Sequence, residues 1–175
     1  SISVFTDGSH DPTDNSTACA IYRPNNQLKK AWKLDDGTSI FSAELMAIKK
    51  PTELTENDSV AEIRIFLDSL SAIQAINSPS STNELTINIR NKALHALSAG
   101  TKITLFWIPS HIGIPENAVV DRLANAARVD SQCEKIVTTS SAKQISKTFH
   151  EAWSKITTAY LESHHVFFPP TREDL

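Results

Sequence analysis

Two stretches of strand-like alternation, residues 2–7 and 63–68, each run out on an aspartate, and helical spacing separates them. In the first, Ile2, Val4 and Thr6 fall on one face and Ser3, Phe5 and Asp7 on the other. In the second, Ile63, Ile65 and Leu67 alternate with Arg64, Phe66 and Asp68. A period of two means strand, and strands joined through helices pair in parallel by right-handed crossovers. Parallel neighbours put their C-terminal ends on one sheet edge, where open α/β sheets place ligands, so the pattern predicts that Asp7 and Asp68 converge.

The remaining segments fill in a sheet around this pair. Residues 10–16 read as a turn, and 17–23 and 28–34 as two further strands joined by the turn-forming Pro24-Asn25-Asn26, giving an antiparallel meander. Phe41, Leu45 and Ile48 switch to helical spacing over residues 39–50, with Pro51 expected to end or kink that helix and Glu44 upon it. A short helix carries Leu70, Ile73 and Ile76. Ser81 and Glu84 have capping-box spacing ahead of Leu85, Ile89, Ala93 and Leu97, and Gly100 follows as a C-terminal cap. Residues 102–108 form a fifth strand, 109–116 a loop, and a helix from about Asn117 carries Asp121 in its first turn. The expected fold is α/β: a five-stranded mixed sheet flanked by helices.

Beyond residue 130 the character changes. Ser141 and Gln144 offer another capping box, and Ile145, Phe149, Trp153, Ile156 and Tyr160 make an apolar stripe, so an amphipathic helix is expected over about 141–163. It either packs on its own domain or links to a neighbouring segment. The division is therefore a domain over 1–130 and an extension over 131–175.

Composition narrows the setting. The chain has 175 residues, and its 40% hydrophobic content is ordinary for one globular core. It contains no run of about 18 apolar residues, the length a membrane helix needs, and its first residues lack a signal peptide's basic and apolar regions. An intracellular setting is expected, nucleus and cytoplasm not being distinguished. Starting at Ser1 without an initiator Met, the chain reads as a piece of a longer polypeptide. Cys19 and Cys133 lie far apart without metal-ligand spacing and read as structural thiols. The net charge of −3 argues against grip on nucleic acid through a broad basic surface. Neutralising four of the 20 acids with bound metal would leave 16 against 17 basic groups, and the surface would no longer repel phosphate.

Four carboxylates carry the chemistry: Asp7 and Asp68 at strand ends, Glu44 on a helix and Asp121 opening the last one. Taken singly each has a bland role, as a turn residue, a solvated helix charge or a helix N-terminal acid. Gathered together they repel one another unless cations intervene, and hard oxygen donors without a His/Cys cluster select Mg²⁺ or Mn²⁺ over zinc. Two such ions about 4 Å apart are a recurring device for hydrolysing phosphodiesters.

Each acid also comes with its local words: Phe5-Thr6-Asp7-Gly8-Ser9, Ser42-Ala43-Glu44-Leu45, Leu67-Asp68-Ser69, and Trp107-Ile108-Pro109-Ser110-His111-Ile112-Gly113-Ile114-Pro115 ahead of Asp121-Arg122-Leu123-Ala124. Over roughly residues 1–130 the set resembles type I ribonuclease H, and in particular the ribonuclease H domains of non-LTR (LINE-type) retrotransposon polyproteins. The resemblance implies a nuclease that cuts the RNA strand of RNA/DNA hybrids endonucleolytically with two Mg²⁺ ions, Mn²⁺ substituting, and leaves 5′-phosphate and 3′-hydroxyl ends. It implies four ligands: Asp7 bridging both ions, Asp121 on the nucleophile side, and Glu44 and Asp68 on the other. It also implies His111 as a mobile-loop group that assists proton movement or product release, with Gly113 giving that loop freedom. Gly8 and Ser9 would contact the RNA 2′-hydroxyls, and Ser39 a DNA-strand phosphate. An adjacent reverse transcriptase domain is the implied partner.

The chain departs from the family pattern in four places. Residues 10–16 replace a Gly-rich turn, and Ile40-Phe41 stand where an Asn or Gln precedes the Glu helix. Glu116-Asn117-Ala118 replace Gly-Asn-Glu, keeping Asn117 as the expected N-cap, and no basic insertion interrupts residues 69–99. A degenerate module that binds hybrid or a polyprotein neighbour without cutting is the alternative these departures raise, and another nuclease or integrase of the same general fold is a third.

Overall fold

A computed structural model describes residues 1–54 and 60–138. Three N-terminal strands, β1 (Ile2–Asp11), β2 (Ser16–Arg23) and β3 (Leu28–Leu34), are followed by α1 (Ile40–Leu54), β4 (Glu62–Leu67), α2 (Leu70–Asn77), α3 (Glu84–Ser98), β5 (Lys102–Trp107), α4 (Pro115–Val129) and β6 (Lys135–Ile136). The sheet runs β5-β4-β1-β2-β3-β6. β1, β2 and β3 pair antiparallel, whereas β4 joins β1, β5 joins β4 and β6 joins β3 in parallel. The mixed α/β sheet is as expected, with six strands rather than five. β6 is too short to show a period of two, and long-range contacts hold it: Lys33 N–H donates to Glu134 O at 2.9 Å and Trp32 Nε1 to a Glu134 carboxylate oxygen at 3.2 Å. The expected helix over 141–163 lies outside the described residues. No described helix is long and apolar enough to cross a membrane.

The two sheet faces are built differently. On one, α1 and α3 bury a broad apolar core in which Val4, Ile21, Leu34, Leu45, Ile48, Ile63, Ile65 and Leu67 are almost fully enclosed. On the other, α4 lies on β1, β2 and β3, and its core is small, with Phe5, Ala20, Val120 and Ala124 buried. Alanines on both sides of this contact let the helix backbone come close to the sheet.

Several boundaries shift for identifiable reasons. β1 runs on to Asp11, because Asp11 pairs with Ser16 and the turn shrinks to residues 12–15 with Asn15 in the left-handed region. α1 continues past Pro51 to Leu54. Asn83, not Ser81, caps α3: its side-chain oxygen accepts from Leu85 N–H at 2.9 Å and Thr86 N–H at 3.2 Å, while the Ser81 hydroxyl pairs with Thr86 Oγ1. Gly100 follows α3 at φ 88°. Pro115, pre-set for a first helical position, starts α4 two residues earlier than expected, with Ile114 as its N-cap. Asn117 is therefore inside the helix rather than capping it, and Asp121 lies in the second turn rather than the first. Cys19 and Cys133 are free thiols, and burial pushes Cys19 up to about 12.

Candidate active site

The β1/β4 pairing ends at Phe5 opposite Phe66. Continuing that register sets Asp7 level with Asp68 just past the last paired residues, where the strands are free to part. Glu44 enters from α1. Gly8 explains how it gets so close: a Cβ at that position would lie 2.6 Å from Glu44 N and 2.9 Å from Ala43 C, so only glycine lets the helix sit on the strand here. The result is a cluster of Asp7, Glu44 and Asp68 whose carboxylate oxygens lie within 4.8 Å of one another. Asp7 and Glu44 are each only 7% exposed, and Asp68 is half-buried.

Electrostatics follow from that crowding. Burial raises Asp7 to about 8, with the nearby charges of Asp68 and Asp121 adding to it, and raises Glu44 to about 9, with Asp7 and Asp68 adding. The Gly8 backbone N–H, close to both carboxylates, offsets part of this. Glu44 Oε2 is buried with no hydrogen-bond partner among the described residues. A buried carboxylate oxygen that lacks a donor is costly, and a divalent cation supplies what it lacks. Three acidic oxygen donors with no sulfur or imidazole among them suit Mg²⁺ or Mn²⁺, so the residues present fit such an ion.

Asp68 is further held by its surroundings. Asn117 Nδ2 donates to its carboxylate at 3.3 Å, and the half-exposed Trp107 donates its indole N–H to the Asp68 carbonyl at 3.1 Å. Asp121 is close enough to act on Asp7 but stands apart from the three-acid cluster. Its carboxylate accepts from Asn125 Nδ2 at 3.0 Å.

The other expected site residues are placed as follows. His111 is exposed on the β5–α4 loop in the left-handed region at φ 57°, and Gly113 follows at φ 86°. Ser39 is exposed at the start of α1, where its hydroxyl accepts from Ser42 N–H at 3.1 Å and donates to Ser42 Oγ at 3.0 Å, a helix cap. The Ser9 hydroxyl is turned inward, donating to Asn125 Oδ1 and accepting from Arg128 Nε, each at 2.8 Å. Sequence reasoning passed over Asn125 and Arg128 altogether and took Asn117 for a cap. One signal was available: Asn117, Asp121, Asn125 and Arg128 recur at helical spacing and form a polar stripe beside the apolar Val120, Ala124 and Ala127.

A mixed sheet with paired aspartates at adjoining strand ends, a glutamate delivered by the first helix and a further aspartate on the last defines the ribonuclease H class of fold and site. Residues 1–129 match the sequence model of the RNase H family, and the chain belongs to that family. The family's general activity is hydrolysis of RNA in RNA/DNA hybrids, dependent on divalent metal, and the acidic cluster is in keeping with it.

Proposed function

We propose that this chain cuts the RNA strand of RNA/DNA hybrids endonucleolytically with two Mg²⁺ ions, as the ribonuclease H domain of a LINE-type retroelement polyprotein that works beside a reverse transcriptase domain. The observation that carries the catalytic reading is the convergence of Asp7, Glu44 and Asp68 within 4.8 Å with Glu44 Oε2 unpartnered. The retroelement assignment rests on the Trp107–Pro115 string and the words around each acid.

Bound divalent ions would supply Lewis acidity at the phosphate and lower the pKa of attacking water. The protein's own part is to hold them through Asp7, Glu44, Asp68 and Asp121 and to keep Asp68 and Asp121 in place through Asn117 and Asn125. His111, on its exposed loop, takes or returns a proton near the leaving group. Gly8 contacts the RNA 2′-hydroxyls through its backbone. Ser9 borders the same strand, and Ser39 at the start of α1 meets a DNA-strand phosphate. Residues 1–130 are the catalytic domain, with 131–175 as an extension.

The test is cleavage of an end-labelled RNA/DNA hybrid with Mg²⁺, beside RNA duplex, DNA duplex and single strands, for wild type and Asp68→Asn. Cutting confined to hybrid RNA, leaving 5′-phosphates and lost in the variant, is expected. Binding of hybrid without any cutting at saturating Mg²⁺ or Mn²⁺ would replace this reading with the non-catalytic module.

A further inference from the structure

Arg128 is an enclosed cation, its side chain only 14% exposed, and its partners among the described residues lie outside the acidic cluster. Its guanidinium ties α4 to both β1 and β2. Nε donates to Ser9 Oγ at 2.8 Å, Nη1 to Ser16 Oγ at 3.2 Å and Nη2 to Asn125 Oδ1 at 3.4 Å, and Nη1 pairs with Asp11 at 3.2 Å.

The direction of the hydrogen bonds beyond it is forced. Arginine only donates. Ser9 Oγ therefore accepts from Arg128, and its single hydrogen goes to Asn125 Oδ1 at 2.8 Å. With Ser9 and Arg128 both donating to it, the Asn125 carbonyl oxygen uses both lone pairs, and a flip would set its NH₂ against the Arg128 donor and its oxygen against two Asp121 oxygens. Its nitrogen must then face the other way, where it donates to Asp121 Oδ1 and to the Asp121 carbonyl, each at 3.0 Å. A permanent cation on α4, a serine on β1 and an amide on α4 thus form a one-way chain ending on a carboxylate.

We propose that Arg128, Ser9 and Asn125 are positioning residues: the Arg128→Ser9→Asn125→Asp121 donor chain fixes the Asp121 carboxylate in the orientation in which it takes a divalent cation. The proposal rests on the reading of Asp121 as a ligand. It gives Ser9, one residue beyond the Asp-Gly pair, a role inside the protein. Partners that orient a metal-ligating group are typically worth about 10- to 100-fold in metal affinity.

The experiment is titration of the metal-free protein with Mn²⁺, free ion followed by electron paramagnetic resonance, alongside thermal melts. Variants are Asn125→Leu, Ser9→Ala, Arg128→Lys and Asp121→Asn, with Asn125→Leu/Asp121→Asn as the double. Asn125→Leu is expected to weaken Mn²⁺ binding about tenfold, and Ser9→Ala and Arg128→Lys about threefold each. In the Asp121→Asn background, Asn125→Leu should cost nothing more, since the chain then has no carboxylate to orient. If Asn125→Leu does not fold, Ser9→Ala and Arg128→Lys carry the same comparison. A folded Asn125→Leu with wild-type Mn²⁺ affinity, or one equally damaging with and without Asp121, overturns the chain alone. Unchanged affinity in Asp121→Asn removes Asp121 as a ligand and the chain with it.

Discussion

Asp7, Glu44 and Asp68 crowd together with one oxygen left without a donor, while Asp121, outside that cluster but near enough to act on Asp7, is gripped by one side-chain amide at both its carboxylate and its carbonyl. On the first side two carboxylates are pushed to about 8 and about 9 and one oxygen lacks a donor. On the second, each polar atom of Asn125 is committed and Arg128 anchors the arrangement. The cluster stores unfavourable charge that a cation relieves, so it supplies affinity. The Asp121 side adds only its charge on Asp7 and, through Asn125, supplies direction. A site whose ligands were all strained would bind metal tightly with loose geometry, and one whose ligands were all clamped would have little reason to bind.

Neutralising one acid on each side breaks this comparison most forcefully. Asp68→Asn should cost roughly three orders of magnitude in hybrid cleavage, as expected where several kcal/mol of metal-based stabilisation is lost. The same change should raise the melting temperature of the metal-free protein at pH 8, because it removes a repelling charge. Asp121→Asn should also lose activity but gain less stability, since Asp68 presses on both Asp7 and Glu44 whereas Asp121 presses on Asp7 alone. A melting temperature raised equally by both would erase the distinction.

Gly8→Ala tests the packing that creates the strained side. The new methyl would meet Glu44 N at 2.6 Å, and backbone on both sides leaves it nowhere to go. A loss of about 2–3 kcal/mol in denaturant unfolding is expected, together with weakened metal binding as α1 and Glu44 retreat. An unchanged unfolding midpoint would mean that α1 does not need its close seat.

The pH dependence sharpens the contrast. Asp7 and Glu44 hold protons in the folded protein up to about 8 and about 9, against ordinary values of 3.8 and 4.5. The native state therefore binds more protons than the unfolded one between about pH 4 and pH 9. Metal-free stability should fall as pH rises through that window, on the order of 1 kcal/mol per pH unit. Asp11 and Asp14, held low by their hydrogen bonds to Thr13 and Ser16, act in the opposite sense in acid. Metal-free unfolding curves should thus show maximal stability at mildly acid pH, and saturating Mg²⁺ should flatten the alkaline decline. Stability that rose from pH 5 to 8 without metal would contradict the assignment of strain to this cluster.

His111→Ala should have the smallest effect, about tenfold in kcat with little change in KM or Mn²⁺ affinity, because the loop residue is exposed and outside the cluster. A large drop in metal affinity would make it a ligand instead.

How much of this the sequence disclosed depended on the range of the interaction. Asp7 and Asp68 were legible because a strand's period and its end are local, and parallel pairing then makes them neighbours. Glu44 was legible from helical spacing and its Ser-Ala-Glu-Leu word. β6 was not, since two residues carry no period and Glu134 is fixed by Trp32 and Lys33 a hundred positions away. The Ser9–Asn125 bond spans 116 positions, and only the polar stripe on α4 hinted that its face was occupied. Asn117 misled because an asparagine ahead of an apolar run suits a cap, whereas Pro115 had already started the helix.

Whether the buried acids form a cation site held protonated until metal arrives is decided by calorimetric titration of Mg²⁺ into the metal-free protein at pH 7 in buffers of different ionisation enthalpy. Binding should release about one to two protons per protein, since carboxylates raised above pH 7 must ionise to ligate, and Asp7→Asn should nearly abolish both heat and proton release. Tight binding without proton release, or no binding at all, would contradict it.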